Sequence, residues 1–203
     1  MERAEEILSF WFGPSLDSEE ALGQRARVWF RGGAEVDREI RDRFGADLER
    51  ARNGELASWA DTPRGRLALI ILLDQFSRAV YRGTAQAFAQ DAAALKLAVE
   101  GFDRGMDATL APYEQMFFNL PLAHSEDLAL QERGVRYCEN WLKRFPASRQ
   151  QGFPQMALGQ ARLHRDVIAR FGCFPTRNEL LGRPSTPEEK AHVEQAKASG
   201  SPV

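Results

Sequence analysis

The sequence predicts an all-α fold in which antiparallel helix pairs stack on one another, about 8–10 helices in all. Three observations carry this. Apolar residues recur at spacings of three and four through most of the 203 residues. No segment sustains the two-residue alternation of a half-buried strand. Glycine, proline and capping residues cut the chain into pieces of helical length joined by short loops.

The elements follow in order. Residues 3–12 form a short helix that Gly13-Pro14 stops. Asp17 or Ser18 caps a second helix running to Trp29-Phe30, closed by Arg31-Gly32-Gly33. Over 34–51, Val36, Ile40, Phe44 and Leu48 fall at steps of four, an amphipathic stripe that Asn53-Gly54 ends. A short turn then holds Leu56 and Trp59, and Asp61-Thr62-Pro63 supplies a cap and a proline at the first helical position. The helix over 63–79 is apolar nearly all round in its first half (Leu67, Leu69 and Ile70 to Leu73), as a helix surrounded by others must be. Gly83-Thr84 closes that region, and residues 87–104 make an Ala-rich helix. Pro112 opens a short helix ending near Pro121. Ser125 caps a long one through Phe145, with Leu128, Val135, Cys138, Leu142 and Phe145 on one face. The next, 149–171, carries Phe153, Met156, Ala157, Val167, Ile168 and Phe171, and Gly172 stops it. Thr186-Pro187-Glu188-Glu189 opens the last helix as a capping box. The reading is one helical domain over residues 1–196 and a disordered tail over 197–203.

Composition narrows the function classes. The 27 basic and 29 acidic residues give a net charge of −2, with no basic arm or stripe, which sets nucleic acid aside as a partner. Cys138 and Cys173 lie outside any C-x-x-C pattern, which fits a reducing, cytoplasmic setting and no disulfide framework. The opening MERAEEILSF is acidic and amphipathic, unlike a signal peptide, and the run Leu67–Leu73 is too short to span a bilayer, so no membrane partner is expected. Phosphate-binding glycine loops and nucleophile elbows are absent, and nothing calls for a cofactor.

The informative feature is polar residues inside apolar runs: LALIILLDQFSRAVYRG (67–83), YEQMFFNLPLAHSEDL (113–128) and LHRDVIARFGCFPTRN (163–178). An unpaired buried charge costs several kcal/mol, so such groups pair or line a water-filled site. His164 shares a stripe with Phe153, Ala157, Gln160 and Phe171, and reads either as a hydrogen-bonded core histidine or as a base in a pocket. Asp74 follows Leu67 and Ile71 on one stripe. Arg78 stands four residues on, so an intrahelical ion pair and a site carboxylate are both open. Glu126 and Asp127 fall in a first helical turn, where the helix dipole alone favours acids, which leaves His124 without an account. Asn119 reads as a backbone clamp. A metal site from His124, His164 and Asp74 or Asp127 would need three helices to converge and has no supporting ligand spacing, so no metal is assigned.

The segments 72–92, 121–132 and 164–189, with the opening I-L-x-F-W-F-G at 7–13, resemble the bacterial "domain of unknown function 924" family over about residues 4–190. The resemblance implies an all-helical, tetratricopeptide-like fold and no established activity. The W-x-x-L-G-x-x-Y pattern of tetratricopeptide repeats is itself absent. Matching positions are Asp74, Gln75, Arg78, Arg82, Gly83, His124, Glu126, Asp127, His164, Arg165, Asp166, Arg177 and Asn178. Ser77 and Ala79 stand where the family's D-Q-F-P-R-N has Pro and Asn, and Cys173 and Thr176 where F-G-R-F-P-H-R-N has Arg and His.

Three functions follow from these residues. The first is a helical binding module whose groove takes a small anionic ligand or a peptide through Asp74, Arg78, Arg82, Asn119, His124, Glu126, Asp127, His164, Arg165, Arg177 and Asn178. The second is a hydrolase-type enzyme with His124 or His164 as general base, oriented by Asp74 or Asp127. The third is a buried ion-pair network that only registers the helices.

Overall fold

The computed structural model describes residues 2–14, 16, 19–145 and 152–199. The expected caps Asp17 and Ser18, residues 149–151 and the tail beyond residue 199 lie outside these. The elements are α1 (Glu2–Phe12), α2 (Glu19–Arg31), α3 (Ala34–Arg52), α4 (Pro63–Ile70), α5 (Ser77–Val80), α6 (Asp91–Asp103), α7 (Pro112–Ala123), α8 (Leu128–Arg144), α9 (Gly152–Phe171) and α10 (Pro187–Ser199), with short 3₁₀ turns between several of them. The chain is all-α, and the described residues hold no strand.

The central helix is built as its sequence suggests at the start and differently further on. Thr62 caps it, its hydroxyl accepting from Gly65 N at 3.2 Å, with Pro63 in the first turn. Every residue from Gly65 to Asp74 is buried. The reading of one regular helix over 63–79 is corrected: Ile71–Phe76 is a π turn joining α4 to α5, and Ser77 N–H donates to Leu72 O, five residues back. Such a turn inserts an extra residue into the helix and re-aims side chains, and it recurs at functional sites. Here Asp74 points toward α7, and Phe76 packs into an aromatic core with Phe10, Trp11 and Phe44. Phe117 joins that core to Trp11, Phe12 and Trp29.

α6 crosses α4 and α7 closely because Gly101 presents no side chain. A Cβ there would stand 2.4 Å from Phe118 Cζ. α7 packs on α8, and α8 on α9, as consecutive helices of a stacked array do.

Several element boundaries shift. Asp127, not Ser125, is the α8 N-cap: its Oδ1 accepts from Leu130 N at 3.1 Å, while Ser125 Oγ accepts from Asp127 N just before the helix. Pro121 lies inside α7, whose last residue is Ala123. The Ala-rich helix starts at Asp91, after a 3₁₀ turn Ala85–Phe88. α10 runs through Ser199 rather than stopping at 196. Leu128, placed on the inward face by its spacing, is 40% exposed at the first turn of α8.

Candidate functional site

The π turn brings the carboxylate of Asp74 to the C-terminal end of α7. His124 is the cap residue there, and its Nδ1 lies 2.7 Å from Asp74 Oδ1. Asp74 is fully buried, and Arg78 Nη1 stands 3.0 Å from the same oxygen, the i,i+4 pair expected from the sequence. Gln75 Nε2 donates to Oδ2. Burial alone would raise the Asp74 carboxyl, but Arg78 and His124 hold it well below the usual carboxylate range. An ionised Asp74 accepts a hydrogen bond from Nδ1–H of His124, so in the neutral ring Nε2 carries the lone pair.

His164 of α9 is fixed in the same way by a different acceptor. Its Nδ1 lies 3.0 Å from Ala123 O, the last carbonyl of α7. The two rings stand 6.3 Å apart between centroids. Burial, reinforced by His124 and by the Arg177 and Arg78 charges, pushes His164 down to about 4, so its ring is neutral at physiological pH and Nε2 is an acceptor. Neither Nε2 has a hydrogen-bond partner among the described residues, and neither is sealed from solvent.

Two arginines complete the cluster. Arg78 grips Asp91, the first residue of α6, with two nitrogens at 2.9 and 3.0 Å. Arg177, from the 3₁₀ turn Pro175–Arg177, donates through Nη1 to Asp91 Oδ2 at 3.1 Å. Its guanidinium lies over both Phe88 and Phe174, 4.8 and 4.4 Å from the ring centres. Phe174 meets His164 edge-on at 5.3 Å, so the guanidinium and the imidazole share one aromatic neighbour. Arg177 Nε and Nη2 have no partner among the described residues. Glu126 ties this segment down: it accepts from Phe174 N at 2.8 Å and takes Arg183 through two bonds of 2.6 and 2.9 Å.

The structure thus gathers Asp74, Arg78, His124, His164 and Arg177, with Glu126 alongside as a tie. The other expected site residues lie elsewhere. Arg82 pairs with Asp37 at 2.6 and 2.8 Å, on the far side of the π turn. Asp127 caps α8, and Arg165 pairs with its neighbour Asp166 at 2.6 Å. Asn119 is buried, its Nδ2 reaching Gly134 O at 3.3 Å and Cys138 Sγ at 3.4 Å, so it clamps α8 backbone within the protein. Asn178 is buried and donates to Ser185 Oγ at 3.1 Å. Sequence reasoning missed Asp91, Phe88, Phe174 and Arg183. Asp91 falls inside the expected 87–104 helix as an ordinary acid, and only the F-A-Q-D-A stretch beside the D-Q-F motif could have marked it. No group of three or more His, Cys, Asp or Glu among the described residues is placed to hold a metal ion. No helix is long and apolar enough to cross a membrane among them either.

This arrangement predicts a separation of function from stability at His164. Ala123 O also accepts from Gln131 Nε2 at 2.8 Å, so removing the imidazole leaves that carbonyl satisfied. His164→Leu is expected to cost about 1 kcal/mol or less at neutral pH. The wild type gains a further pH dependence from this ring. Its folded value, about 4, lies below the ordinary 6.5, so the unfolded chain takes up the proton first as pH falls. The stabilising contribution is complete above the ordinary value and is lost as pH falls toward the folded one, by roughly 2–3 kcal/mol. Urea denaturation across that range should show the loss in the wild type and not in His164→Leu. Equal slopes in the two proteins would contradict the placement.

Comparison with known proteins agrees with the fold and names no activity. A family model described as a bacterial protein of unknown function (DUF924) matches residues 7–197. The chain is similar to a solved structure of a protein of unknown function from Agrobacterium tumefaciens, with 35% sequence identity, 96% of this chain and 98% of that chain covered, and a TM-score of 0.78. No curated protein matches it. With nearly its whole length accounted for by the family model and by that relative, the chain belongs to the bacterial DUF924 family of unknown function.

Proposed function

We propose that this protein is a helical binding module that takes a small anionic molecule at the His124–His164 pair. The observation that carries the reading is the double anchoring. Asp74 and Ala123 O each fix one Nδ1, which leaves both Nε2 atoms without a partner among the described residues, while Arg177, which shares Phe174 with His164, keeps Nε and Nη2 unengaged. A guanidinium lying over two aromatic rings presents paired N–H groups suited to a carboxylate or phosphate. The neutral Nε2 of His164 then accepts from a hydroxyl or amine on the same molecule. A small ligand fits better than a peptide, because Asn119 and Asn178, the expected backbone clamps, are buried and engaged within the protein. A tetratricopeptide-like stacking of helix pairs and a cytoplasmic setting, the latter in keeping with two free cysteines, belong to the same proposal.

The test is a thermal-shift panel of inorganic phosphate, short organic acids and hydroxy acids against the wild type, His124→Gln and Arg177→Gln. At least one anion should raise the wild-type midpoint by mass action and lose that effect in both variants. A flat panel, or a shift that survives both substitutions, would sink the reading.

One observation favours a second, enzymatic reading: the 2.7 Å contact between a buried carboxylate and Nδ1 of His124 is how a general base is oriented. Turnover of 4-nitrophenyl acetate or phosphate that falls at least about 100-fold in Asp74→Asn would support it. Turnover indifferent to Asp74 and His124 would remove it.

A further inference from the structure

On the other side of the π turn lies a cleft that the histidines do not line. Its volume is about 510 Å³, within the usual range for small-molecule sites. The turn between α2 and α3 forms one wall, with Val28, Trp29, Val36 and Ile40 supplying apolar surface. Gln75, Arg78, Arg82 and Asp37 supply its polar lining.

We infer that this cleft binds a small amphipathic anion, a carboxylate or phosphate carried on an apolar body. Four observations support it. Two guanidinium groups line it: Arg78 is engaged by Asp74 and Asp91, which leaves Arg82, paired with Asp37, as the one that can meet an anion. Arg82 uses Nε and Nη2 on Asp37, which holds the side chain in place, while Nη1 has no partner among the described residues and the side chain is 64% exposed. Gln75 spends its Nε2 on Asp74 and keeps Oε1 unengaged and open to solvent, ready to accept from a hydroxyl or amine beside the anionic group. Val28 and Val36, half-buried over the core residues Trp29 and Ile40, line the cleft beside these polar groups, so a ligand with one charged end and one greasy end satisfies both. A bare anion would leave the Val28 and Val36 surface wet, and a neutral hydrocarbon would leave Arg82 unused.

The cleft and the histidine pair are not isolated. Gln75 Nε2 donates to Asp74 Oδ2, and Asp74 Oδ1 meets His124 Nδ1. Consecutive residues of one π turn therefore serve the two sides: Gln75 the cleft, Asp74 the imidazole. The inference does not depend on what binds at the histidines.

The test uses the full-length protein and the probe 8-anilinonaphthalene-1-sulfonate, an anion on an aromatic body. Its fluorescence should rise to saturation at one probe per chain. Octanoate should displace it, whereas inorganic phosphate at the same concentration should not. Arg82→Gln removes the guanidinium, and Val28→Glu places a like charge at the apolar wall. Each should weaken probe binding about tenfold or more. Val28→Glu leaves the Asp37 pair intact, so it distinguishes loss of the cleft from loss of fold around Asp37, with circular dichroism confirming helicity in both. Non-saturating fluorescence, displacement by phosphate alone, or unchanged affinity in the two variants would each overturn the assignment. Because neither substitution touches His124, His164 or Arg177, a failure here leaves the reading of the histidine pair standing, and the reverse.

Discussion

Asp74→Ala is expected to lower the unfolding free energy by about 3–5 kcal/mol at neutral pH, the usual result of removing one partner from a buried ionic network. The carboxylate is fully buried and has Arg78, His124 and Gln75 around it. Its loss leaves Arg78 with Asp91 and the backbone carbonyl of residue 74 and removes the acceptor of His124 Nδ1. Asp74→Asn keeps the size and an acceptor oxygen, so it should cost less than half as much. Guanidinium denaturation of the three proteins at one pH measures both. An alanine cost below about 1 kcal/mol would mean that solvent, not the network, holds these groups. Acid should mimic the substitution. The native carboxyl stays ionised well below the ordinary range, so its stabilisation is present above that range and is lost as pH falls through the folded value.

Phe76→Ala should be as damaging, about 3–5 kcal/mol, by a different mechanism. The ring is completely buried, with Phe44, Trp11 and Phe10 at centroid distances of 5.3, 5.5 and 6.0 Å. Truncation removes its burial and leaves a cavity among three elements, α1, α3 and the π turn, that cannot all collapse into it. Equilibrium unfolding gives the number. A cost under about 1.5 kcal/mol would show that the aromatic cluster is loosely packed.

Much of this molecule was legible before any coordinates. Helices were readable because caps and breakers are local: Thr62-Pro63, Asn53-Gly54 and Gly172 act where they stand. Asp74, His124 and His164 were readable as a group because each interrupts an apolar run, and polar groups so placed need partners. The π turn was not readable. A periodicity argument assumes bonds to the fourth residue back, and Ile70 to Leu73 are apolar on every side, so an inserted residue leaves no mark in the pattern. Asp91 and Arg183 escaped for another reason. Each has a sufficient local explanation, an acid within an expected helix for one and a loop for the other, and only the fold shows that Arg78 and Glu126 wait for them. Arg82, Asn119 and Asp127 were grouped with the site on their positions in the motifs, yet a cleft-side ion pair, a helix clamp and a cap take them away from it.

The contact of Arg177 with both Phe88 and Phe174 has a consequence for recognition. A long cationic side chain on a surface samples many rotamers, and pinning it on association costs about 2 kcal/mol of entropy. Here folding has already frozen that freedom. An incoming anion would lose only its own motion, so the empty and occupied forms should superimpose at this side chain, and encounter should proceed without waiting for a loop to order.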